Sequence, residues 1–368
     1  MRILVTGGAG FIGSHLVDKL VEMNYDVTVL DNLEPQVHKE TPNYLNPKAK
    51  YVFEDIRNKN ILEKILKETE IIFHLASAVG VGQSMYEIEK YVEVNTTATS
   101  KLLDILVNKE NNVKKLIVAS SMSIYGEGSY KCETCGEVYP KLREENQLKN
   151  REWELKCPYC GKIVRPIPTN EDKPLHPTSI YAITKRDQEE MCLVVGKTYG
   201  IPTVALRYFN VYGPRQSLNN PYTGVCAIFS SRIKNNENPV IFEDGFQSRD
   251  FISVHDIVAA NILAMKSSNA NYKVFNVGTG KATTIKEIAE LLIKLYNSNV
   301  KPEITNKYRA GDIRHCFADI SRIKNIGFEP KISLEEGMKE LVEWGKKINA
   351  ENKFDKAYEE LDKKKLIK

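Results

Sequence analysis

Ser121, Tyr181 and Lys185 have the types and order that proton transfer beside a redox cofactor requires. Tyr181 and Lys185 are four apart at the start of a helical pattern, residues 179–197, so both side chains share one face. A tyrosine hydroxyl with a pKa of about 10 is a poor base. A nearby ammonium favours the phenolate and is expected to lower that value. Alone, this YxxxK spacing carries little information, because both residues are common. It gains weight from what precedes it. Residues 115–120 (KLIVAS) read as a fully buried strand and run into Ser121-Met122-Ser123-Ile124-Tyr125-Gly126. In a doubly wound sheet, ligands sit beyond the carboxyl ends of the strands. Ser121 is then expected at the crevice, bonding the same substrate oxygen as Tyr181. The plain alternative for Ser121 is a turn former.

A second constellation suits an anion. Gly7-Gly8-Ala9-Gly10-Phe11-Ile12-Gly13 lies between an expected strand, residues 2–6, and an expected helix whose Ile12, Leu16, Val17, Leu20 and Met23 share one face. It satisfies GxGxxG through Gly8, Gly10 and Gly13, and GxxGxxG through Gly7, Gly10 and Gly13. Glycines permit the tight turn and let the main chain approach a pyrophosphate, while the helix N-terminus offers free N–H groups and a favourable dipole. Such a loop alone is weak; the strand before and the helix after supply its context. The second strand, residues 26–30, leads to Asp31, 18 residues beyond Gly13. A carboxylate there accepts hydrogen bonds from the adenosine ribose and repels a 2′-phosphate. Asn32 is not a cation that could rescue phosphate binding, so NAD is expected rather than NADP. Asp55, in Asp55-Ile56 after a third strand, is expected to reach the adenine edge, with a simple turn aspartate as the alternative.

Cys132-Glu-Thr-Cys135-Gly136 and Cys157-Pro-Tyr-Cys160-Gly161 form a Cx2C-x21-Cx2C pattern, one residue longer than the usual zinc spacing. Each CxxCG can fold as a knuckle aiming two thiolates at one ion. Four thiolates close a tetrahedral Zn2+ site with no position left for water, so a structural role is expected. Disulfides are the alternative. Trp153 and Tyr159 are expected to pack on this ribbon. In a reducing compartment paired CxxC units suggest metal. Cys192, Cys226 and Cys316 read as small core residues.

The elements that must carry these groups alternate. Strands at 2–6, 26–30, 71–75 and 115–120 interleave with helical patterns, including one at 91–108, and further strands appear at 203–207 and 273–277. That alternation gives an α/β fold: a Rossmann-type doubly wound parallel sheet with helices on both faces. Segments richer in Pro, Asn and Gly (212–224, 235–250 and 298–333) suggest a smaller α/β substrate-binding lobe. The expected division is residues 1–128, 167–211 and 251–280 for the dinucleotide domain, 129–166 for the zinc-ribbon-like insertion, and 212–250 with 281–345 for the second lobe. Residues 346–368 form a charged helix or tail, whose Lys363, Lys364 and Lys365 read as a solvated end. A length of 368 residues fits one or two domains. With 52 basic against 48 acidic residues, charge gives no argument for nucleic acid or membrane. No apolar run reaches the roughly 18 residues of a membrane span. The N-terminus lacks the features of a signal peptide, so a cytoplasmic protein is expected.

TGGAGFIGSHL, Asp31-Asn32-Leu33, the SSxxxYG segment, Tyr181-x-x-x-Lys185 and Arg207-Tyr-Phe-Asn-x-Tyr-Gly-Pro-Arg215 occur in this order. As a set they resemble the extended short-chain dehydrogenase/reductase family, the nucleotide-sugar epimerases and dehydratases. The resemblance runs from residue 1 to about 345, leaving out 129–166 and the tail. It implies Ser121 as the catalytic Ser/Thr, Tyr181 as the base and Lys185 as its partner. The implied NAD contacts are Gly7, Gly10, Phe11, Ile12, Gly13, Asp31, Asn32, Asp55, Ile56, Leu75, Ala76, Asn95, Tyr181, Lys185 and Tyr208. The implied contacts to a nucleotide-diphosphate sugar are Gln83, Ser84, Ser121, Ser123, Asn210, Arg249, Arg309 and Asp312. A diphosphate favours guanidinium forks, which agrees with the two arginines.

Dehydratases of the family carry an Asp-Glu pair directly after the catalytic Ser/Thr, the acid and base that elimination needs. Here those positions are Met122 and Ser123, which favours 4-epimerisation: transient C4 oxidation and hydride return. Net reduction or oxidation, and a non-catalytic NAD sensor or scaffold, are the competing readings; a scaffold is expected to lose Ser121 or Tyr181. Val79 stands where glucose/galactose 4-epimerases often carry a lysine. The DNLEPQVH and VGVGQSMYEI stretches, residues 220–225 and the cysteine insertion resemble the dTDP-L-rhamnose 4-epimerase group, with UDP-glucose/UDP-galactose as the alternative. The resemblance also implies a homodimer built on the helices at 91–108 and 179–197, and a connection between Ser121 and Tyr181 shorter than the 60 residues here. The ribbon is spliced into that connection. It is expected to cover or shape the sugar pocket, or to form a subunit contact.

Overall fold

The computed structural model describes every residue except Thr223 and Asn352. Part of the 220–225 stretch therefore lies outside the described residues.

Seven strands form the main sheet: β1 (Arg2–Thr6), β2 (Asp26–Asp31), β3 (Lys50–Phe53), β4 (Ile71–His74), β5 (Lys115–Ser121), β6 (Thr203–Tyr208) and β7 (Lys273–Val277). Their order is β7-β6-β5-β4-β1-β2-β3, all parallel. The chain direction across the sheet reverses between β1 and β4, and such a switch point opens a crevice at the strands' carboxyl ends. Alternate residues feed two cores. Ile3, Val5, Ile117 and Leu206 pack on one face; Leu4, Ile72, Leu116, Val118 and Ala205 pack on the other. Both faces are buried, which is why these strands are nearly continuous apolar runs.

In chain order the longer helices are α1 (Phe11–Glu22), α2 (Lys59–Leu66), α3 (Ala98–Asn108), α4 (Ile180–Tyr199), α5 (Val225–Lys234), α6 (Val254–Lys266), α7 (Ile285–Tyr296), α8 (Leu334–Lys347) and α9 (Phe354–Lys363). Helix α4 starts at Ser179, whose side chain accepts from the Ala182 N–H, and stops at left-handed Gly200. The helix expected at 91–108 contains a π-helical turn, Val92–Thr97, ahead of α3. Helices α5, α7 and α8 build the second lobe around Tyr212, Phe229, Ile288, Leu292, Met338 and Leu341. Thr284 with Glu287, and Ser333 with Glu336, form capping boxes at the starts of α7 and α8.

Three placements differ from the sequence expectation. Cys316, Ala318, Ile320, Ile323 and Phe328, expected in the second lobe, pack into the main sheet's core. In the tail Lys363, Lys364 and Lys365 are exposed, as expected, but the segment around them is docked. Helix α9 buries Ala357 and Leu361, and the main chain at Leu366–Lys368 pairs with Tyr308 and Ala310. The ribbon is an antiparallel sheet, Gly136–Val138, Ser129–Cys132 and Arg165–Ile167, over a small core of Tyr130, Val138, Leu155 and Val164. Tyr159 is 79% exposed and packs on nothing there, while Trp153 turns away to the Tyr308 ring, 6.5 Å between centroids.

Candidate active site

The glycine loop closes the turn between β1 and α1. Gly7 has φ +71°, and a Cβ on it would lie 2.9 Å from the Ala76 main chain. A Cβ on Gly13 would lie 2.2 Å from the Gly7 carbonyl oxygen. Gly7, Gly10 and Gly13 line a cleft of about 970 Å³, whereas Gly8 packs against Val29. Of the two overlapping motifs, the cleft therefore uses GxxGxxG. Gly10 caps α1 in an extended conformation, leaving the first N–H groups of the helix to face an anion.

At the end of β2 the Asp31 carboxylate accepts from Ala9 N (3.0 Å) and Leu33 N (2.9 Å) and lines the cleft. Asp55 accepts from the Arg57 guanidinium and from Asn32, and the Arg57 bonds hold its carboxyl below the usual range. Arg57 also pairs with Glu93. That guanidinium is thus already neutralised by two carboxylates. Phe11, Ile12, Asn32, Ile56, Leu75, Ala76 and Tyr208 line the same cleft. A shape-fitted glycine cradle at a helix start, with a carboxylate at the ribose position, suits NAD.

Asn95 is the exception. It is fully buried, bonding Ala78 N (2.7 Å) and O (3.1 Å) and Thr184 (3.0 Å), and does not line the cleft. It supports the loop that does. Ser84 is likewise buried rather than substrate-facing: its hydroxyl donates to Val81 O and accepts from Tyr181 N at 3.0 Å. It anchors the start of α4, while Gln83 lines the cleft.

Ser121 ends β5 and Tyr181 begins α4, and both line the cleft, near enough for the Ser121 hydroxyl to favour the Tyr181 phenolate. Ser123 donates to the Ser121 hydroxyl through both its main-chain N–H (3.1 Å) and its side chain (2.9 Å). Burial pushes the Tyr181 hydroxyl up, and Ser121 opposes that rise. Lys185 Nζ donates to Ala119 O (2.5 Å) and Gln188 Oε1 (2.7 Å), and burial lowers its pKa to about 8.

A buried polar row behind Lys185 was not legible in the sequence. Gln188 also bonds Thr99, and His74 bonds Thr6 and Thr99. Burial, with Lys185 nearby, lowers His74 to about 3, so its imidazole stays neutral. Arg207, buried against Glu189 at 2.5 Å, ties α4 to β6.

At the other end of the cleft, Arg249 donates to the carbonyls of Ser248, Ile313 and Arg314 and still lines the wall. Arg309 pairs with Asp312 at 2.7 Å and lies over the Phe242 ring. Asn210 Oδ1, Gln216 Oε1 and Gln247 Oε1 are buried and find no partner among the described residues, and all three residues line the cleft. Gln216 and Gln247 were missed by sequence reasoning, as were Phe354, Ala357, Tyr358 and Leu361 of α9. Their apolar spacing of three and four was the available signal.

Among the described residues, none from 124 to 177 lines the cleft, so the ribbon does not cover it. It docks behind it. Arg143 bonds Glu243 (2.8 Å) and Asp312 O, and Arg314 pairs with Glu154 (2.6 Å), Glu243 (2.9 Å) and Asp244 (2.6 Å). The four thiol sulfurs lie within 4.8 Å of one another, with Cys132 and Cys160 3.5 Å apart. A tetrahedron with Zn–S bonds of 2.3 Å has edges of about 3.8 Å, so the cluster fits one zinc ion. Main-chain N–H bonds from Cys135 and Thr134 lower the Cys132 thiol to about 7. Cys192, Cys226 and Cys316 are buried free thiols. Among the described residues no helix is long and apolar enough to cross a membrane.

The chain matches the NAD dependent epimerase/dehydratase family model over residues 3–144 and 159–278, leaving out a stretch of the ribbon that includes Cys157. It is 35% identical to the dTDP-L-rhamnose 4-epimerase of Burkholderia thailandensis, covering 93% of this chain and 94% of that one. The structure of the Thermotoga maritima UDP-glucose 4-epimerase with UDP-glucose is 35% identical, with TM-score 0.75 over 94% of this chain and 99% of that chain. That of the Bacillus cereus UDP-glucuronic acid 4-epimerase, in complex with UDP-glucuronic acid and NAD, is 27% identical, with TM-score 0.77 over 95% and 100%. The glycine cradle, Asp31 and the Ser121–Tyr181 pair thus stand in a chain that belongs to the NAD-dependent epimerase/dehydratase family of enzymes.

Proposed function

We propose that this enzyme is an isomerase, an NAD-dependent nucleotide-sugar 4-epimerase, and that it interconverts dTDP-L-rhamnose and dTDP-6-deoxy-L-talose. The observation that carries the reaction type is the placing of Ser121 and Tyr181 together in the cleft wall beside the dinucleotide cradle, with Met122 and Ser123 where elimination would need an acid and a base. Bound NAD supplies an acceptor and donor for the C4 hydride. The chain's own residues manage the proton. Tyr181 takes it from the C4 hydroxyl and gives it back once the 4-keto sugar has turned over. Ser121 donates to the same oxygen and, with Ser123 behind it, fixes the oxygen's position. Lys185 holds the nicotinamide ribose and is oriented by Gln188 and Ala119 O.

Gly7, Gly10, Phe11, Ile12 and Gly13 receive the pyrophosphate, and Asp31 the adenosine ribose. Arg249, Arg309 and Asp312 receive the sugar nucleotide's diphosphate and nucleoside. Asn210, Gln216 and Gln247 offer it unpaired acceptor oxygens, and Gln83 faces the sugar. Cys132, Cys135, Cys157 and Cys160 hold a structural Zn2+. Ile183 and Val194 on α4, and Val92 in the π-helical turn ahead of α3, are exposed apolar side chains that suit a homodimer contact.

The B. thailandensis relative and Val79, an apolar residue in the cleft wall, favour the rhamnose substrate; UDP-glucose is the second reading, favoured by the T. maritima enzyme at the same identity. Incubation with each nucleotide sugar, followed by NMR of the C4 configuration, decides between them. Conversion of dTDP-L-rhamnose and not UDP-glucose is expected.

A further inference from the structure

Helix α9 lies along the cleft from its reacting end to its phosphate end. At one end, Leu361 packs so closely on the loop at Gly82 that a Cβ there would lie 3.1 Å from its Cδ2. That loop leads to Ser84, which holds the Tyr181 main chain. Next to Leu361, Glu360 accepts from Tyr222 (2.5 Å), and Tyr222 accepts from Tyr86 (2.8 Å). Tyr222 in turn abuts Gly80, which touches Tyr91, and the Tyr91 ring stands edge-on to Tyr181 with 6.4 Å between centroids. At the other end, the Tyr358 ring stacks on Phe242 at 6.0 Å, and Phe242 carries Arg309. The helix is therefore pinned on both sides of the site.

What it presents inward at Ala357 and Leu361 is apolar. Ala357 and Leu361 line the cleft together with Val79, Gly80, Val81 and Gly82. Glu360 is turned into the tyrosine pair instead. Through the Gly82–Ser84 loop and through Tyr222, Gly80 and Tyr91, this wall is joined to the Tyr181 end of the cleft, where the sugar carbons that flank the reacting C4 would lie. A methyl group loses nothing against such a surface. A hydroxymethyl or carboxylate group surrenders its hydrogen bonds to water and finds no replacement there.

We infer that α9 is the specificity-determining wall of the sugar site, with Leu361 and Ala357 selecting a sugar whose C5 substituent is a methyl group, a 6-deoxyhexose. The inference rests on the 4-epimerase reading above but not on the identity of the sugar or base. Its test uses two ligands alike except at C6, UDP-6-deoxyglucose and UDP-glucose. Their dissociation constants are measured by calorimetry in the NAD-loaded Tyr181→Phe protein, which cannot turn them over.

The 6-deoxy ligand is expected to bind about tenfold or more tighter, the range one small group is worth in an apolar pocket. Leu361→Gln should erase most of that ratio, Ala357→Ser should reduce it, and Leu361→Met should keep it. All three should retain NAD content. A ratio near one in the parent, or a ratio unmoved by both Leu361→Gln and Ala357→Ser in folded, NAD-loaded protein, overturns the wall. Should Leu361→Gln not fold, Ala357→Ser decides. Failure of the wild-type enzyme to convert dTDP-L-rhamnose, with the C6 discrimination intact, overturns the substrate reading and leaves the wall standing.

Discussion

Arg314 is the place where the cysteine ribbon, the second lobe and the phosphate end of the cleft are joined, and Arg314→Met tests that joint. Its side chain is 1% exposed and meets Glu154, Glu243 and Asp244. Methionine keeps much of the stem and removes the charge. Breaking a buried ion pair by removing one partner costs about 3–5 kcal/mol, because the other charge is left desolvated. Two of the three carboxylates, Glu154 at 40% and Asp244 at 27% exposure, can rehydrate, and Glu243 keeps Arg143. The loss should therefore fall at the low end, about 3 kcal/mol.

The same change reaches the substrate end. Arg249 is held by the carbonyls of Ile313 and Arg314, so a loosened segment lets that guanidinium move. Urea denaturation with an unchanged slope should show the lost stability. Steady-state kinetics should show a raised KM for the nucleotide sugar, with bound NAD unchanged. A loss under about 1 kcal/mol, the usual yield of an exposed pair, with KM unaltered would refute the reasoning. So would loss of NAD with KM intact.

Acid stability should report on the same joint. Burial opposes ionisation of Glu154, but its bonds to His315 and Arg314 prevail and bring its pKa to about 2. A depressed carboxyl pKa contributes stability that is present above its ordinary 4.5 and lost as pH falls toward 2. Arg314→Met should flatten that part of the stability–pH curve, as read by denaturation midpoints. Lys185 is depressed to about 8, so the unfolded chain binds its proton more readily, and the residue's contribution becomes more favourable as pH rises from about 8 to 10.5. Midpoints of the native protein minus those of Lys185→Met should rise over that window; a flat difference would contradict the burial argument. Tyr181→Phe should lower kcat by about 10²–10⁴-fold while retaining NAD, measured by turnover and by cofactor release on denaturation. Metal analysis should find one zinc ion per chain, lost in Cys132→Ser with Cys157→Ser. That variant should lose stability and nucleotide-sugar affinity while NAD content holds; normal turnover by a folded, zinc-free form would refute the support role.

The parts legible in the sequence are those whose physics is local. The glycine loop sits between one strand and the next helix, and Asp31 ends the following strand. Ser121 and Tyr181, 60 residues apart, became a site through the resemblance and through the rule that ligands lie beyond strand ends. What failed is long-range. The partners that orient Lys185 come from β5 and its own helix, and the row behind them from β4 and α3. Ser84 and Asn95 are polar residues of the right region whose side chains face the wrong way, a matter of loop packing that spacing does not encode. The exposed Lys363–Lys365 end was legible, but the docking of α9 was not, because charges dominate 353–368 and four inward apolar side chains at helical spacing are a faint signal. The ribbon's cysteines were plain, while its docking on Glu243, Asp244 and Arg314 required knowing which distant segments meet.

The most direct test of the account follows one atom. Dissolved in ordinary water with the NAD-loaded enzyme, dTDP-L-rhamnose carrying deuterium at C4 should yield the C4-inverted sugar with the deuterium still at C4, and no NADH should accumulate. Loss of the deuterium to solvent, release of reduced cofactor in step with substrate, or no inversion at C4 of either this sugar or UDP-glucose would contradict it.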